Sequence, residues 1–174
     1  MIINPDNDQK ANYKLIEKAF TTLVDNLTPG TKISEAYRKT YAALSEEKDE
    51  GFLKEHLSSS FGHGIGYKST DSALTISAEN DRVIEEGMVF FAQIYLEGVE
   101  KADSDLKYSF VVADTVIAKG TPENVTDKVS REFKNLSYTI DEGDEEEEEE
   151  EGKEEDRDVA RENKNVILEE RTRG

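Results

Sequence analysis

An α+β fold, with helices leading into a mainly antiparallel set of strands and a charged segment after them, is what this sequence predicts. Three observations predict it. Apolar residues recur at helical spacing over residues 8–27, the texture turns rich in glycine, β-branched and aromatic residues from residue 61, and a run of acids begins at Asp141. With 174 residues the chain has room for one ordinary domain but not comfortably for two.

The elements follow in order. Ile16, Ala19, Phe20, Leu23, Val24 and Leu27 draw one stripe along a first helix, which Asp8 or Asn7 is expected to cap and Pro29-Gly30 to end. A second helix should begin near Ser34, because Ile33, Tyr37, Tyr41 and Leu44 recur about once per turn. A short helix is expected around Phe52–Leu57. Strands are expected near 61–67, 73–77, 88–97, 107–118 and 136–140, with a helical stretch at 122–134 before the last of them. Glu86-Gly87 should set the turn into the run Met88–Leu96, which is apolar on both faces except at Gln93 and so suits a central strand covered on both sides. Ser109–Ala118 has the same character, with Asp114 as its single charge.

Charge is distributed very unevenly. Of the net −18, residues 1–140 carry −7, from 23 acids and 16 bases, whereas residues 141–158 alone carry −12, from 14 acids and 2 bases. Such a block cannot bury enough apolar surface to offset its ordering entropy, and disorder is expected there. Residues 1–140 show no basic stripe of the kind that follows a phosphate backbone, so direct, specific binding of nucleic acid is not expected. The absence of cysteine excludes disulfides and thiolate metal sites and fits a reducing compartment. No run of some 18 apolar residues is present for a membrane span. The start, MIINPDNDQK, lacks the basic and apolar regions of a secretory signal, and the chain is expected to be a piece of a longer protein.

One element has a catalytic look: Gly62-His63-Gly64-Ile65-Gly66. Glycines around a single histidine let the backbone approach a ligand and leave the imidazole free for metal or acid–base work. They equally suit a Gly-rich strand turn holding a hydrogen-bonded histidine. His56, on a charged helix end, is expected to be simply solvated.

The order helix, Pro-Gly, helix, GHGIG, then Glu86-Gly87-Met88-Val89-Phe90-Phe91, then a strand with Asp114-Thr115-Val116, resembles the C-terminal half of the methionine aminopeptidase and creatinase family over about residues 10–120. That resemblance implies the pita-bread fold, in which helices pack on a curved, mainly antiparallel sheet. It also implies two metal ions held by two aspartates, one histidine and two glutamates. On that pattern His63 matches the metal-binding histidine, and the second, substrate-contacting histidine falls near Thr70. The first glutamate falls at Gln93 and the second at Ala113, while both aspartates would lie upstream of Met1. Hard dications need anionic oxygens. An amide in place of one carboxylate and a methyl in place of another leave too few ligands, so the implied site is vestigial at His63, Thr70, Gln93 and Ala113, with no cofactor and no peptidase activity expected.

Among non-enzymatic members of that fold, the proliferation-associated group ends in basic tails and binds RNA. The sequence here is instead similar to the N-terminal domain of the large subunit of FACT, the eukaryotic histone chaperone, which is followed by a poly-acidic stretch and an ending in Glu-Arg-Thr-Arg. The corresponding residues are Asp141, Glu142, Asp144 and Glu145–Glu151, then Val166-Ile167-Leu168-Glu169-Glu170-Arg171-Thr172-Arg173. The intact GHGIG is a departure that suggests an ancestor nearer the active enzymes. The resemblance implies a nuclear, non-enzymatic module that helps to handle core histones and nucleosomes during transcription, replication and repair. A smaller HMG-type subunit would be engaged through regions outside this chain. Residues 1–140 would be the C-terminal half of an inactive aminopeptidase-like domain, 141–164 an acidic linker meeting basic partners through Glu145, Glu146, Glu147, Glu148, Glu149, Glu150, Glu151 and their neighbours, and 165–174 the start of another domain. For the acidic run the alternative is a solubilising linker; for the function the alternative is an inactive aminopeptidase-like protein- or RNA-binding module of the proliferation-associated type, and the second a metal-dependent aminopeptidase.

Overall fold

The computed structural model describes residues 2–102, 104–126 and 130–140. Met1–Tyr138 form one compact unit, and Thr139–Gly174 are a second unit of which only Thr139 and Ile140 are among the described residues. The acidic segment and the apolar stretch after it lie outside the description.

Two helices form where the apolar stripes fall. Helix α1 (Asn7–Asn26) buries Tyr13, Leu15, Ile16, Ala19, Phe20 and Leu23. Its cap is Asp6, one residue earlier than expected. The Asp6 carboxylate accepts from the Gln9 amide at 2.7 Å while the Gln9 side chain accepts from the Asp6 amide at 3.1 Å, a reciprocal capping box. Helix α2 (Ile33–Ser45) starts at Ile33, and Ser34 does not cap it. Its first amides are satisfied from a distance, Ile33 N donating to the Arg82 carbonyl at 3.0 Å and Ser34 N to the Asn80 carbonyl at 2.7 Å. Helix α3 (Glu50–His56) begins two residues before the expected range, because the Asp49 carboxylate accepts from the amides of Gly51 and Phe52.

The sheet runs in the order β2 (Gly62–Ile65), β3 (Val89–Glu100), β4 (Lys107–Ile117) and β5 (Glu123–Asn124), antiparallel throughout. Strand β3 is flanked on both edges, as expected of a central strand. Its coverage is complete on one face only: Phe90, Ala92, Ile94 and Leu96 are fully buried against the helices, whereas Phe91, Gln93 and Tyr95 are half-buried.

Two expected elements differ. Residues Ser72–Leu74 form a 3-10 turn rather than a strand, since Asp71 caps it through the Ala73 amide at 3.0 Å. Ile76 still bonds the neighbouring backbone, donating to Gly62 O and accepting from Phe61 N at 2.9 Å each. In place of the helix at 122–134 the described residues show β5 along the edge of β4, with Val125 N donating to Thr115 O at 2.9 Å, and a 3-10 turn at Phe133–Asn135. Edge pairing with β4 satisfies backbone groups that a helix would otherwise pair locally.

A feature with no local signature closes the unit. Ile2–Ile3 (β1) pairs in parallel with Ser137–Tyr138 (β6), apart from the main sheet, so the last expected strand, 136–140, pairs with the chain's beginning.

Candidate functional site

His63, Gln93 and Ala113 lie on three adjacent strands, and the register decides whether they can meet. His63 is opposite Phe91 across β2–β3, and Gln93 is opposite Ala113 across β3–β4. Because side chains alternate, His63, Phe91, Gln93, Tyr95, Ala113 and Thr115 share one face of the sheet. Gln93 donates its backbone N–H towards β2, to Phe61 O at 2.9 Å, so Gln93 and Ala113 form a non-hydrogen-bonded pair. Their Cβ atoms then stand about 5 Å apart. Three of the four positions expected to be vestigial are thereby brought to one face. Thr70 is not: it is exposed, in the loop after β2.

The glycines beside His63 serve packing within the protein. Gly62 has φ +118°, and a Cβ there would meet Phe91 O at 1.9 Å; a Cβ on Gly64 would meet Leu74 Cδ1 at 2.5 Å. His63 is half-buried, its ring centroid 5.6 Å from that of Phe91, and its Nδ1 donates to the Gly64 carbonyl at 3.0 Å. That bond leaves Nε2 as the acceptor nitrogen of the neutral ring. Thus the strand-turn reading and the available-imidazole reading both describe parts of the same residue.

The donor set does not fit a pair of hard dications. At the positions that the resemblance matches to a histidine and two glutamates stand one imidazole, one neutral amide and one methyl, and among the described residues no three His, Cys, Asp or Glu side chains converge on one point. Asp114, beside Ala113, cannot substitute. Alternation sends it through the sheet to the core side, opposite Ala92, where its side chain is 2% exposed. There it pairs with Arg131 and accepts from Thr115 N at 2.6 Å. The Arg131 guanidinium lies 5.0 Å from the Phe20 ring centroid, and its carbonyl accepts from the Tyr13 hydroxyl at 2.8 Å. Burial, its largest influence, raises the Tyr13 pKa above the ordinary phenol value. The lone charge in an apolar run was the available signal for this network; its partner, 17 positions on, was not.

His56 is not simply solvated. Its side chain is 12% exposed, its Nδ1 donates to Glu97 O at 2.9 Å, and its ring packs 4.8 Å from Phe52. A groove of about 550 Å³ lined by Tyr37, Tyr41, Leu53 and Leu57 includes none of the vestigial residues.

A sheet of this topology, backed by two long helices and carrying a histidine strand beside the longest strand, is the pita-bread fold of M24-like metallopeptidases. Residues 1–119 match Metallopeptidase family M24, and the chain belongs to that family. Within it, the chain is 30% identical over 148 residues to the FACT complex subunit SPT16 of Zea mays, covering 83% of this chain and 14% of that protein. The N-terminal domain of the FACT complex subunit SPT16 from Cicer arietinum superposes with a TM-score of 0.72 at 30% identity, covering 78% of this chain and 32% of the other. The X-Pro aminopeptidase of Thermotoga maritima, at 20% identity and a TM-score of 0.62 over 80% of this chain and 35% of its own, shares the fold. The chain therefore spans a small part of its relatives, about a seventh of the maize protein.

Proposed function

We propose that this chain is a non-enzymatic, M24-fold module of a FACT-type histone chaperone, acting in the nucleus on core histones and nucleosomes. The observation that carries the reading is the Gln93–Ala113 pair: the strand positions that would supply anionic oxygens hold an amide and a methyl directly opposite each other. Without those oxygens no metal-bound hydroxide forms to attack a peptide. Similarity to SPT16 proteins supports the chaperone assignment, and the smaller HMG-type subunit is assigned to regions beyond this chain. Residues 1–140 are taken as the C-terminal half of the inactive domain, 141–164 as an acidic linker and 165–174 as the opening of the next domain.

The −12 of residues 141–158 supplies a long-range attraction for Lys- and Arg-rich surfaces and competes with DNA for them. It acts over about 8 Å at physiological salt. Binding of core histones to the full chain and to a chain lacking residues 141–158, over a salt series, tests this. Weaker binding and a flatter salt dependence on deletion are expected; equal affinity and equal slope refute the electrostatic role. Metal analysis with a peptide-cleavage assay tests the loss of catalysis, since stoichiometric divalent ions with turnover would return the chain to the peptidases. RNA retention on a filter without histone retention would favour the RNA-binding alternative, against which the −7 of residues 1–140 argues.

A further inference from the structure

We propose that the groove between α2 and α3 holds the apolar face of an acidic amphipathic helix from a partner protein. This goes beyond the histone reading, because the partner it selects is acidic rather than basic. The groove's volume of about 550 Å³ falls within the roughly 300–1,000 Å³ typical of ligand sites. None of His63, Gln93 or Ala113 lines it.

Its walls are apolar and come from two helices. Tyr37 and Tyr41 stand on α2, and Leu53 and Leu57 on α3 and at its C-cap. The Tyr37 ring stacks on Phe61 with centroids 4.4 Å apart and on Tyr41 with centroids 6.1 Å apart. Phe61 is fully buried, so the aromatic wall is fixed by the core behind it. On each wall the two residues are four positions apart, which along a helix is about 6 Å. A partner helix with apolar residues at i and i+4 presents the same repeat, the spacing by which amphipathic helices fill grooves.

Charge decides which helix enters. Residues 1–140 carry −7, yet the charged side chains lining the groove are both cations, Arg38 on α2 and Lys54 on α3. Glu79, the carboxylate that acts on Tyr37, does not line it. Arg38 has no ion pair among the described residues: it donates to the neutral Ala78 carbonyl at 2.9 Å, which leaves the rest of its donor fork open. Lys54 pairs with Glu50 at 2.8 Å, but both side chains are over 70% exposed, and such a pair exchanges readily with an incoming carboxylate. A lysine- or arginine-rich helix would meet like charge on both walls. An uncharged one would leave Arg38 without a counter-ion beside apolar surface.

Fluorescence anisotropy of a labelled helical peptide, with leucines at i and i+4 and glutamates on its flanks, titrated with the full chain tests the groove. Physiological salt screens the chain's net charge beyond about 8 Å. Saturable binding is expected, and none by the same peptide with serines in place of leucines. Arg38→Glu should weaken binding about threefold to tenfold. Ala42→Glu, which puts an anion on the exposed lip of α2 without removing any packing, should weaken it at least as much. Lys14→Glu, an exposed charge on α1 that does not line the groove, measures the effect of net charge alone. A leucine peptide that fails to bind, or binds no better than its serine counterpart, overturns the proposal. So do losses in Arg38→Glu and Ala42→Glu no larger than in Lys14→Glu. Self-association of the chain that Ala42→Glu abolishes, seen by sedimentation, would give the groove to a second copy and also overturn it. Core-histone binding is a separate readout, so each of these failures leaves the histone reading standing.

Discussion

Removing both partners of the Asp114–Arg131 pair should destabilise the unit by less than the sum of the two single removals. Asp114 is 2% exposed at its side chain and Arg131 27%, so the carboxylate is out of water and the guanidinium only partly so. Truncating one partner of a buried pair costs about 3–5 kcal/mol, mostly from the charge left behind. Arg131→Met leaves the buried carboxylate unpaired and falls in the middle of that range, about 4 kcal/mol. Asp114→Ala leaves a cation that can reach water and a Thr115 N–H without its acceptor, giving about 3 kcal/mol. Combined, the two changes should cost less than their sum by about 1–3 kcal/mol, the usual coupling of contacting residues. Against a total stability of about 5–15 kcal/mol, each single variant remains measurable by urea unfolding with far-UV circular dichroism. A double variant whose loss equals the sum of the two single losses within about 0.5 kcal/mol would falsify the coupling and reduce the pair to a surface contact.

Other perturbations probe the remaining elements. Gly62→Ala meets the Phe91 carbonyl at 1.9 Å in a positive-φ position and should cost at least about 3 kcal/mol, whereas Gly66→Ala, with nothing within 4 Å and no positive φ, should stay within about 0.5 kcal/mol; equal losses in thermal melts would contradict the packing role of the first. The Asp49 carboxyl is held below the ordinary aspartate value, chiefly by the hydrogen bond from Phe52 N. Its contribution is therefore present above the unfolded value near pH 4 and is lost as pH falls through the lowered folded value, so Asp49→Ala should flatten the acid limb of stability against pH. An unchanged limb would remove α3's cap from the account. Gln93→Glu/Ala113→Glu puts two glutamates on Cβ atoms about 5 Å apart beside His63, which should lower the melting temperature in chelator and raise it on adding Mn²⁺, while the parent chain shows no Mn²⁺ response. A melting temperature that ignores Mn²⁺ in the variant would mean the sheet face cannot gather ligands.

What can be read locally was legible. The α1 stripe places Ile16, Ala19, Phe20 and Leu23 in the core because a helix repeats every 3.6 residues, and the apolar run Met88–Leu96 marks a central strand, although which of its two apolar faces is fully covered, that of Phe90, Ala92 and Ile94, was decided by packing. The amide at Gln93 and the methyl at Ala113 are a matter of residue identity, readable in the sequence. Distant partners were not legible. Arg82 and Asn80 carbonyls cap α2, Ile2 pairs with Ser137, and Arg131 meets Asp114, all without a periodic or nearby signal.

His56 shows the same division in one residue. Its sequence neighbours Glu55 and Lys54 are charged and suggested solvent, yet strand β3 passes close enough for Glu97 O to accept a hydrogen bond from its ring. Side-chain type, stripe and strand alternation follow from the chain itself, since they depend on backbone geometry within a few residues. Register, capping by remote carbonyls and the face to which each charge is sent were decided by tertiary structure. A buried polar group must find a partner wherever packing brings one, and that partner's position in the sequence is unconstrained.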